Sequence, residues 1–408
     1  MNRFQSNIVE KLKLVLGSDI SGITVNSQEA VELKNYFNND LCDLIEAASS
    51  LRNIGKGNIV TFSPKVFIPL TRLCRDYCGY CTFRVDPQDT DTLFLSPEEV
   101  LDVALKGQEL GCTEALFTLG ERPELRFSEA KAWLNERGYQ TTLEYLTDMC
   151  ELVLSKTRLL PHANPGTMSQ RELSQLRPFN PSTGMMLEST SELLYAVGGP
   201  HEFAPSKRPI ARLKTIENAG KLRIPFTTGL LIGIGETLDD RIESLLAIRD
   251  LNRKYGHIQE VIVQNFRAKP LTPMETEPDA DTKHMLWTVS VARLILGPNV
   301  NIQVPPNLSA DNYQMYLQAG INDWGGVSPL TIDYVNPEAP WPTLDNLNIR
   351  TEDEGFVLKP RLPIYPEFFL DTDKFVDSNM RHKLSALVDN DGYVKGGVGS
   401  YVKRRDRS

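Results

Sequence analysis

The sequence lacks a basic excess: 44 lysines and arginines stand against 53 aspartates and glutamates, a formal net charge of -9. Surfaces that track nucleic-acid phosphates carry a basic balance or stripe, so small-molecule or protein partners fit better. It also lacks a long apolar run. No stretch approaches the roughly 18 apolar residues that a membrane helix needs. The opening segment, MNRFQSNIVEKLKLVLGSDI, alternates polar and apolar residues at helical spacing and has no signal-peptide core or cleavage site. These absences point to the cytoplasm, where thiols stay reduced and a cysteine cluster reads as metal-binding or catalytic rather than disulfide-forming. Internal repeats, low-complexity linkers and a glycine-rich dinucleotide fingerprint are absent as well.

What is present is an alternation of strand-like runs and amphipathic helices. With 41% hydrophobic and 24% charged residues, the 408-residue chain can bury a large core. Eight strand candidates follow one another: KVFIPLT, EALFTL, RLLPHA, TGMMLES, IPFTTGLLIG, EVIVQNF, VNIQVP and the region AGINDWGGVS. The helices between them are well punctuated. Ser96 caps a helix with Pro97 at its first position, Glu99 completes a capping box and Gly111 ends it; Thr237, Asp240 and Gly256 repeat the pattern. This predicts an α/β fold, a parallel (βα)8 barrel, a type that needs about 250 residues plus insertions. The expected division is a helical flank over residues 1–60, a barrel over 61–345, and a C-terminal extension over 346–408 whose last part, VKGGVGSYVKRRDRS, is expected to be mobile.

Three of the six cysteines, Cys74, Cys78 and Cys81, fall in LCRDYCGYC, directly after the first strand. Barrel enzymes place their chemistry in the loops after strands. Cys42, Cys112 and Cys150 are scattered and read as ordinary buried residues. A structural zinc knuckle closes its tetrahedron with four protein ligands, yet no fourth cysteine is near and the first histidine is His162. Iron-sulfur cubanes also normally take four thiolates. Three in this loop imply a [4Fe-4S] cluster with one iron left open, a position that the amino and carboxylate groups of S-adenosylmethionine can chelate. One electron from such a cluster cleaves the sulfonium C–S bond and leaves a 5'-deoxyadenosyl radical. The other histidines, His201, His257, His284 and His382, have no metal-like spacing.

The loop, with Tyr80 before its last cysteine, resembles the radical S-adenosylmethionine superfamily signature C-x-x-x-C-x-aromatic-C. That resemblance implies further contacts. Gly120 and Glu121 in TLGERPE match the family's receivers of the methionine amino group, and Glu188 in MMLEST matches its polar contact to ribose. Gly229, Gly233 and Glu236 in GLLIGIGET match the adenine-side pattern, although Glu236 could equally hold the turn. IPLTRLCRDYCGYCTF, EALFTLGERPE, LLPHANPGTM, TTGLLIGIGET, QNFRAKPLTPM and NDWGGVSPLT, spread over about residues 60 to 345, are similar to the smaller-subunit type of the 7,8-didemethyl-8-hydroxy-5-deazariboflavin (FO) synthases of coenzyme F-420 biosynthesis.

The resemblance implies an ammonia-releasing lyase. Its substrate would be the adduct of a tyrosine-derived hydroxybenzyl group with ribityl-diaminouracil, made by a condensing sister enzyme, and a low-potential electron donor would serve it. His162, Asn164, Asn265, Asp323 and Trp324 are expected just after strands, facing the same mouth, with Asp323 binding polar groups and Trp324 packing on a ring. Two alternatives share the loop, the condensing sister or a menaquinone-pathway relative. An iron-sulfur electron carrier, of another class, would want a fourth cysteine.

Overall fold

Eight parallel strands close on one another in the computed structural model, which describes residues 25–370 and 372–396. They are β1 (Ile59–Thr71), β2 (Glu114–Leu119), β3 (Leu160–Asn164), β4 (Ser182–Gly184), β5 (Phe226–Ile232), β6 (Ile258–Asn265), β7 (Asn301–Gln303) and β8 (Asp323–Val327). Each pairs with its successor and β8 returns to β1, so the expected α/β barrel is what the chain forms. Expectations for residues 1–24 and for the tail from residue 397 fall outside the described residues. Among the described residues no helix is long and apolar enough to cross a membrane.

The helix starts follow from local chemistry. Ser96, Thr141, Ser169 and Thr237 each accept from the backbone of the residue three positions on, and Glu99, Glu144, Glu172 and Asp240 each reach back to the cap's own N–H. Such a cap is worth about 1 kcal/mol. Because these helices follow the strands, their capped ends and the preceding loops stand at the mouth of the barrel. Between helices and sheet lies one core that includes Phe62, Val66, Ile68, Phe117, Val261 and Trp287.

Two features depart from the expected pattern. The fourth strand ends at Gly184; the chain then leaves the sheet and touches it again at Glu188, which bridges Leu230 in the left-handed region at φ 67°. The second is a ninth strand, β9 (Val357–Pro360). β1 is long: its upper half, Lys65 to Thr71, pairs with β2, while Thr61 to Pro64 pairs with β8. Below β2 the lower half of β1 would present an open edge, and β9 pairs there with Ile59 to Phe62.

After β9 the chain turns under the barrel. Arg361 enters the lower end of the barrel, and the residues beyond it, among them Leu362, Ile364, Phe368, Met380 and Leu384, form a second apolar cluster with Leu160 of β3. Of the part placed by expectation in the C-terminal extension, the helix Leu344–Asp353 packs on the main core through Leu347 and on β8 through Thr351, whereas the segment after β9 folds against the closed end opposite the mouth.

Candidate active site

The cysteine loop is fixed by the neighbouring loops of the mouth. Arg75 N donates to Glu121 O (2.9 Å), Tyr77 N to Phe203 O (2.9 Å) and Gly79 N to Pro200 O (2.7 Å), while Met274 N donates to Gly79 O (3.1 Å). Gly120 allows the closest of these approaches: a side-chain carbon there would lie 1.9 Å from the Leu73 carbonyl oxygen. Cys74, Cys78 and Cys81 then line one chamber of about 250 Å3, with Tyr80, Glu121 and Glu188 on its wall. Cys74 Sγ accepts from the N–H groups of Asp76 (3.4 Å) and Glu121 (3.2 Å). Burial, reinforced by the Asp76 carboxylate, still pushes the Cys74 thiol up to about 12, and burial raises Cys78 as well. As free thiols they are protonated, and metal must displace those protons to bind.

The carboxylates of this chamber already have partners. Glu121 Oε1 accepts from Thr167 N (3.1 Å) and from the Thr167 hydroxyl, and Arg75 lies 3.6 Å away. Glu188 is paired with Lys207 and stands 3.7 Å from Arg212. Burial and Arg212 push the Lys207 ammonium down, but Glu188 and Cys78 outweigh them and hold it above its ordinary range. Tyr80 Oη lies 3.0 Å from His201 Nε2, so His201 fixes the aromatic ring beside the cysteines.

Beneath this chamber a second one, of about 180 Å3, shares Thr118, Asn164, Met186 and Gln264 with the first. Strand side chains make its wall: Lys65, Glu114, His162, Glu260 and Gln303, with Arg361 at the floor. Lys65 Nζ is 2.9 Å from Glu114 Oε1. It has room because Gly326 has no side chain; a Cβ there would lie 1.7 Å from Lys65 Cε. Arg361 ties two buried carboxylates together, with Nε 2.6 Å from Asp323 Oδ2 and Nη2 2.9 Å from both Asp323 Oδ1 and Glu260 Oε1.

Such a geometry is the strong form of an ion pair. Burial raises the Glu260 pKa, against the Arg361 charge and with help from Asp323. At Glu114 burial acts the same way but is outweighed by Lys65, His162 and Arg361, and the net shift is downward. Burial brings His162 down to about 4, so the imidazole is neutral.

The profile of the radical SAM superfamily matches residues 68–248. A 7,8-didemethyl-8-hydroxy-5-deazariboflavin synthase from Methanopyrus kandleri is 52% identical over 337 residues, 83% of this chain and 100% of the relative. The chain belongs to this family. FO synthases from Nocardia farcinica and Mycobacterium tuberculosis are 49% and 48% identical over 90% and 93% of the chain. Of those two longer relatives it spans about half, 44% and 46%. Among solved structures, the FeFe-hydrogenase maturase from Carboxydothermus hydrogenoformans aligns over 88% of this chain and 79% of its own with a TM-score of 0.66 at 21% identity. Methylornithine synthase aligns over 85% and 97% with 0.65 at 19%. Those two share the fold.

Within this deazariboflavin synthase family member, the expected residues divide into three groups. Cys74, Cys78, Cys81, Tyr80, Gly120, Glu121 and Glu188 come together at the upper chamber, and Asn265 joins them with its Oδ1 buried and unpartnered. Gly233 and Glu236 do not line either chamber. Glu236 accepts from Gly233 N (2.8 Å), Ile234 N (2.9 Å) and Arg241 Nε (2.8 Å), so the turn-holding alternative is the one the geometry fits.

Lower down, His162 and Asn164 line the second chamber, His162 from within β3 rather than after it. Asp323 and Trp324 begin β8 instead of following a strand, which corrects their expected place at the mouth. Asp323 is held by Arg361 and Thr61. Trp324 is fully buried, edge-on to Tyr313 and donating to Thr351 Oγ1 (3.0 Å), and lines neither chamber. Lys65, Glu114, Glu260 and Arg361 are not among the residues expected from the sequence; for the first three the only signal is charge at strand positions where a barrel interior is otherwise apolar, and Arg361, just past β9, carries none.

Proposed function

We propose that the chain catalyses the closing half of FO synthesis in coenzyme F-420 biosynthesis: cyclisation of the hydroxybenzyl-ribityl-dihydrouracil adduct with release of ammonia, a lyase reaction. One observation carries this reading, the 52% identity over the whole of a deazariboflavin synthase, and it favours this activity over the condensing or menaquinone-pathway alternatives. The residues present fit a [4Fe-4S] cluster and S-adenosylmethionine. Three thiols line one chamber, two backbone N–H groups already point at Cys74 Sγ, and Asn265 Oδ1 lies buried at its wall without a partner. Among the described residues no three cysteine, histidine, aspartate or glutamate side chains converge to hold a single metal ion.

Cys74, Cys78 and Cys81 would hold the cluster, with Tyr80, Gly120, Glu121 and Glu188 around the cosubstrate. When bound, this pair supplies a one-electron cleavage that yields a hydrogen-abstracting radical. The chain's part is positional. Tyr80, fixed by His201, walls the chamber, and Met185, Met186, Leu231 and Phe266 keep it largely apolar. A hydrogen transfer requires the reacting atoms to be held at about 3 to 3.5 Å, which a loop stapled on three sides can provide. The substrate adduct would extend downward from there.

The test is a reconstitution. Anaerobically loaded protein given S-adenosylmethionine, a reductant and the condensing enzyme's adduct should yield fluorescent FO, 5'-deoxyadenosine, methionine and ammonia. Formation of the adduct from free tyrosine and ribityl-diaminouracil by this protein alone would overturn the reading in favour of the condensing reaction.

A further inference from the structure

The lower chamber carries a hydrogen-bond acceptor whose direction is set by the far end of the chain. His162 Nδ1 lies 2.7 Å from Ser182 Oγ, and Ser182 Oγ lies 2.6 Å from the Pro363 carbonyl oxygen. A carbonyl can only accept, so the serine proton points at Pro363 and Ser182 Oγ must receive the N–H of His162. His162 is therefore the Nδ1–H tautomer, and Nε2 is a bare lone pair. Nothing in the described chain donates to it, and Gly184 leaves open space beside it, since a Cβ there would sit 3.0 Å away.

Besides Asn336, whose amide donates to Asp333, three amides line the same chamber, Asn164, Gln264 and Gln303. Among the described residues none of these side chains hydrogen-bonds to the chain. Each offers both donors and an acceptor. Three amides and the unpaired Nε2 of His162, facing one cavity, are costly unless a ligand or water completes them. The cations nearby are committed, Lys65 to Glu114 and Arg361 to Asp323 and Glu260, so an anionic ligand gains little here. What matches is a neutral group rich in hydroxyls, each able to donate and to accept.

We propose that the lower chamber is a polyol subsite that receives the ribityl chain of the substrate, with His162 Nε2 as its fixed acceptor and Asn164, Gln264 and Gln303 as its adaptable partners. This rests on the proposed FO-forming reaction. Chemistry at the benzylic carbon must lie in the upper chamber beside the cysteines, and the polyol is the part of the adduct that reaches furthest from that carbon. The segment after β9 is then a specificity device, because Pro363 orients the histidine from outside the strands.

The experiment uses the full-length, cluster-loaded protein and two fluorescent probes, FO and its 10-methyl analogue without the polyol. Unaltered protein should bind FO at least about ten-fold more tightly, the equivalent of two or so net hydrogen bonds. His162→Leu and Gln303→Leu should each bring that ratio towards one while leaving affinity for the 10-methyl analogue and iron content unchanged. Ser182→Ala, which frees the tautomer, should reduce it less. A ratio near one in the unaltered protein, or one that both variants preserve, overturns the polyol subsite even where FO is still produced from the adduct. If FO is neither bound nor produced, the reaction assignment falls and the subsite with it.

Discussion

Along the barrel axis, the upper chamber takes its functional groups from loops that follow strands, whereas the lower takes them from the strands themselves and from the segment that returns after β9. The upper groups are spaced a few residues apart and stapled by backbone hydrogen bonds. The lower ones come from positions 65, 114, 162, 260, 303 and 361 and are held mainly by one another's charges. A loop site can lose a side chain without the barrel noticing; a charge network inside a barrel cannot, because each member is its neighbour's compensation.

The largest effect should separate the two regions most sharply. Cys74→Ala, Cys78→Ala or Cys81→Ala should abolish iron binding and 5'-deoxyadenosine formation, while Cys42→Ala, Cys112→Ala and Cys150→Ala retain both, as read by iron analysis and product assay. Stoichiometric zinc with no iron uptake would remove the cluster reading. Arg361→Met should leave the iron site intact but destabilise folding by about 3 to 5 kcal/mol, the usual consequence of stranding buried charges; denaturant titration of the metal-free protein measures it. Asp323→Ala belongs with it, as an unfolding rather than a substrate-binding lesion.

A smaller effect belongs to the upper chamber. Glu121→Gln should weaken S-adenosylmethionine binding by roughly ten- to a hundredfold, corresponding to about 1.5 to 3 kcal/mol for a charge-assisted hydrogen bond, with unchanged melting temperature; unaltered affinity in a calorimetric titration would make the TLGERPE turn purely structural. The last effect, absent at neutral pH, appears only on acidification. His162 and His257 are each brought down to about 4, by burial first. A histidine whose folded value lies below its ordinary 6.5 contributes stability that is full above that value and is lost as pH falls towards 4. Each can add up to about 1.4 kcal/mol per pH unit within that window. His257→Gln should flatten the fall in melting temperature between pH 6.5 and 4 without touching either chamber; an unchanged slope would mean that His257 titrates normally.

The same contrast explains what could be read from the sequence. Cys74, Cys78 and Cys81 are legible because their chemistry is written in their spacing, and Ser96 and Thr237 because a helix cap is a local device. Lys65 and Glu114 look like ordinary strand ends, and only the parallel pairing of β1 with β2, which sets one opposite the other, brings them to 2.9 Å. The places of Asp323 and Trp324 are not legible because AGINDWGGVS has no feature that marks where the strand begins; the structure starts it at Asp323 and turns the indole away from both chambers. β9 is not legible in the sequence for a related reason. Four residues, VLKP, with a lysine and a proline, carry no strand signal until an open edge of β1 recruits them.

Pairing of β9 with the foot of β1 limits how the barrel can be cut or transplanted. A fragment ending near residue 345 would keep every mouth loop, yet it would lose the counter-ion of Asp323 and Glu260 and the carbonyl that aims His162. If the cysteine loop holds the cluster and the lower chamber the substrate, as proposed, grafting the loop and its staples onto another barrel would carry over the first and leave behind the second. The proposed radical-forming half is then portable, and the proposed discriminating half is tied to the short segment that follows β9.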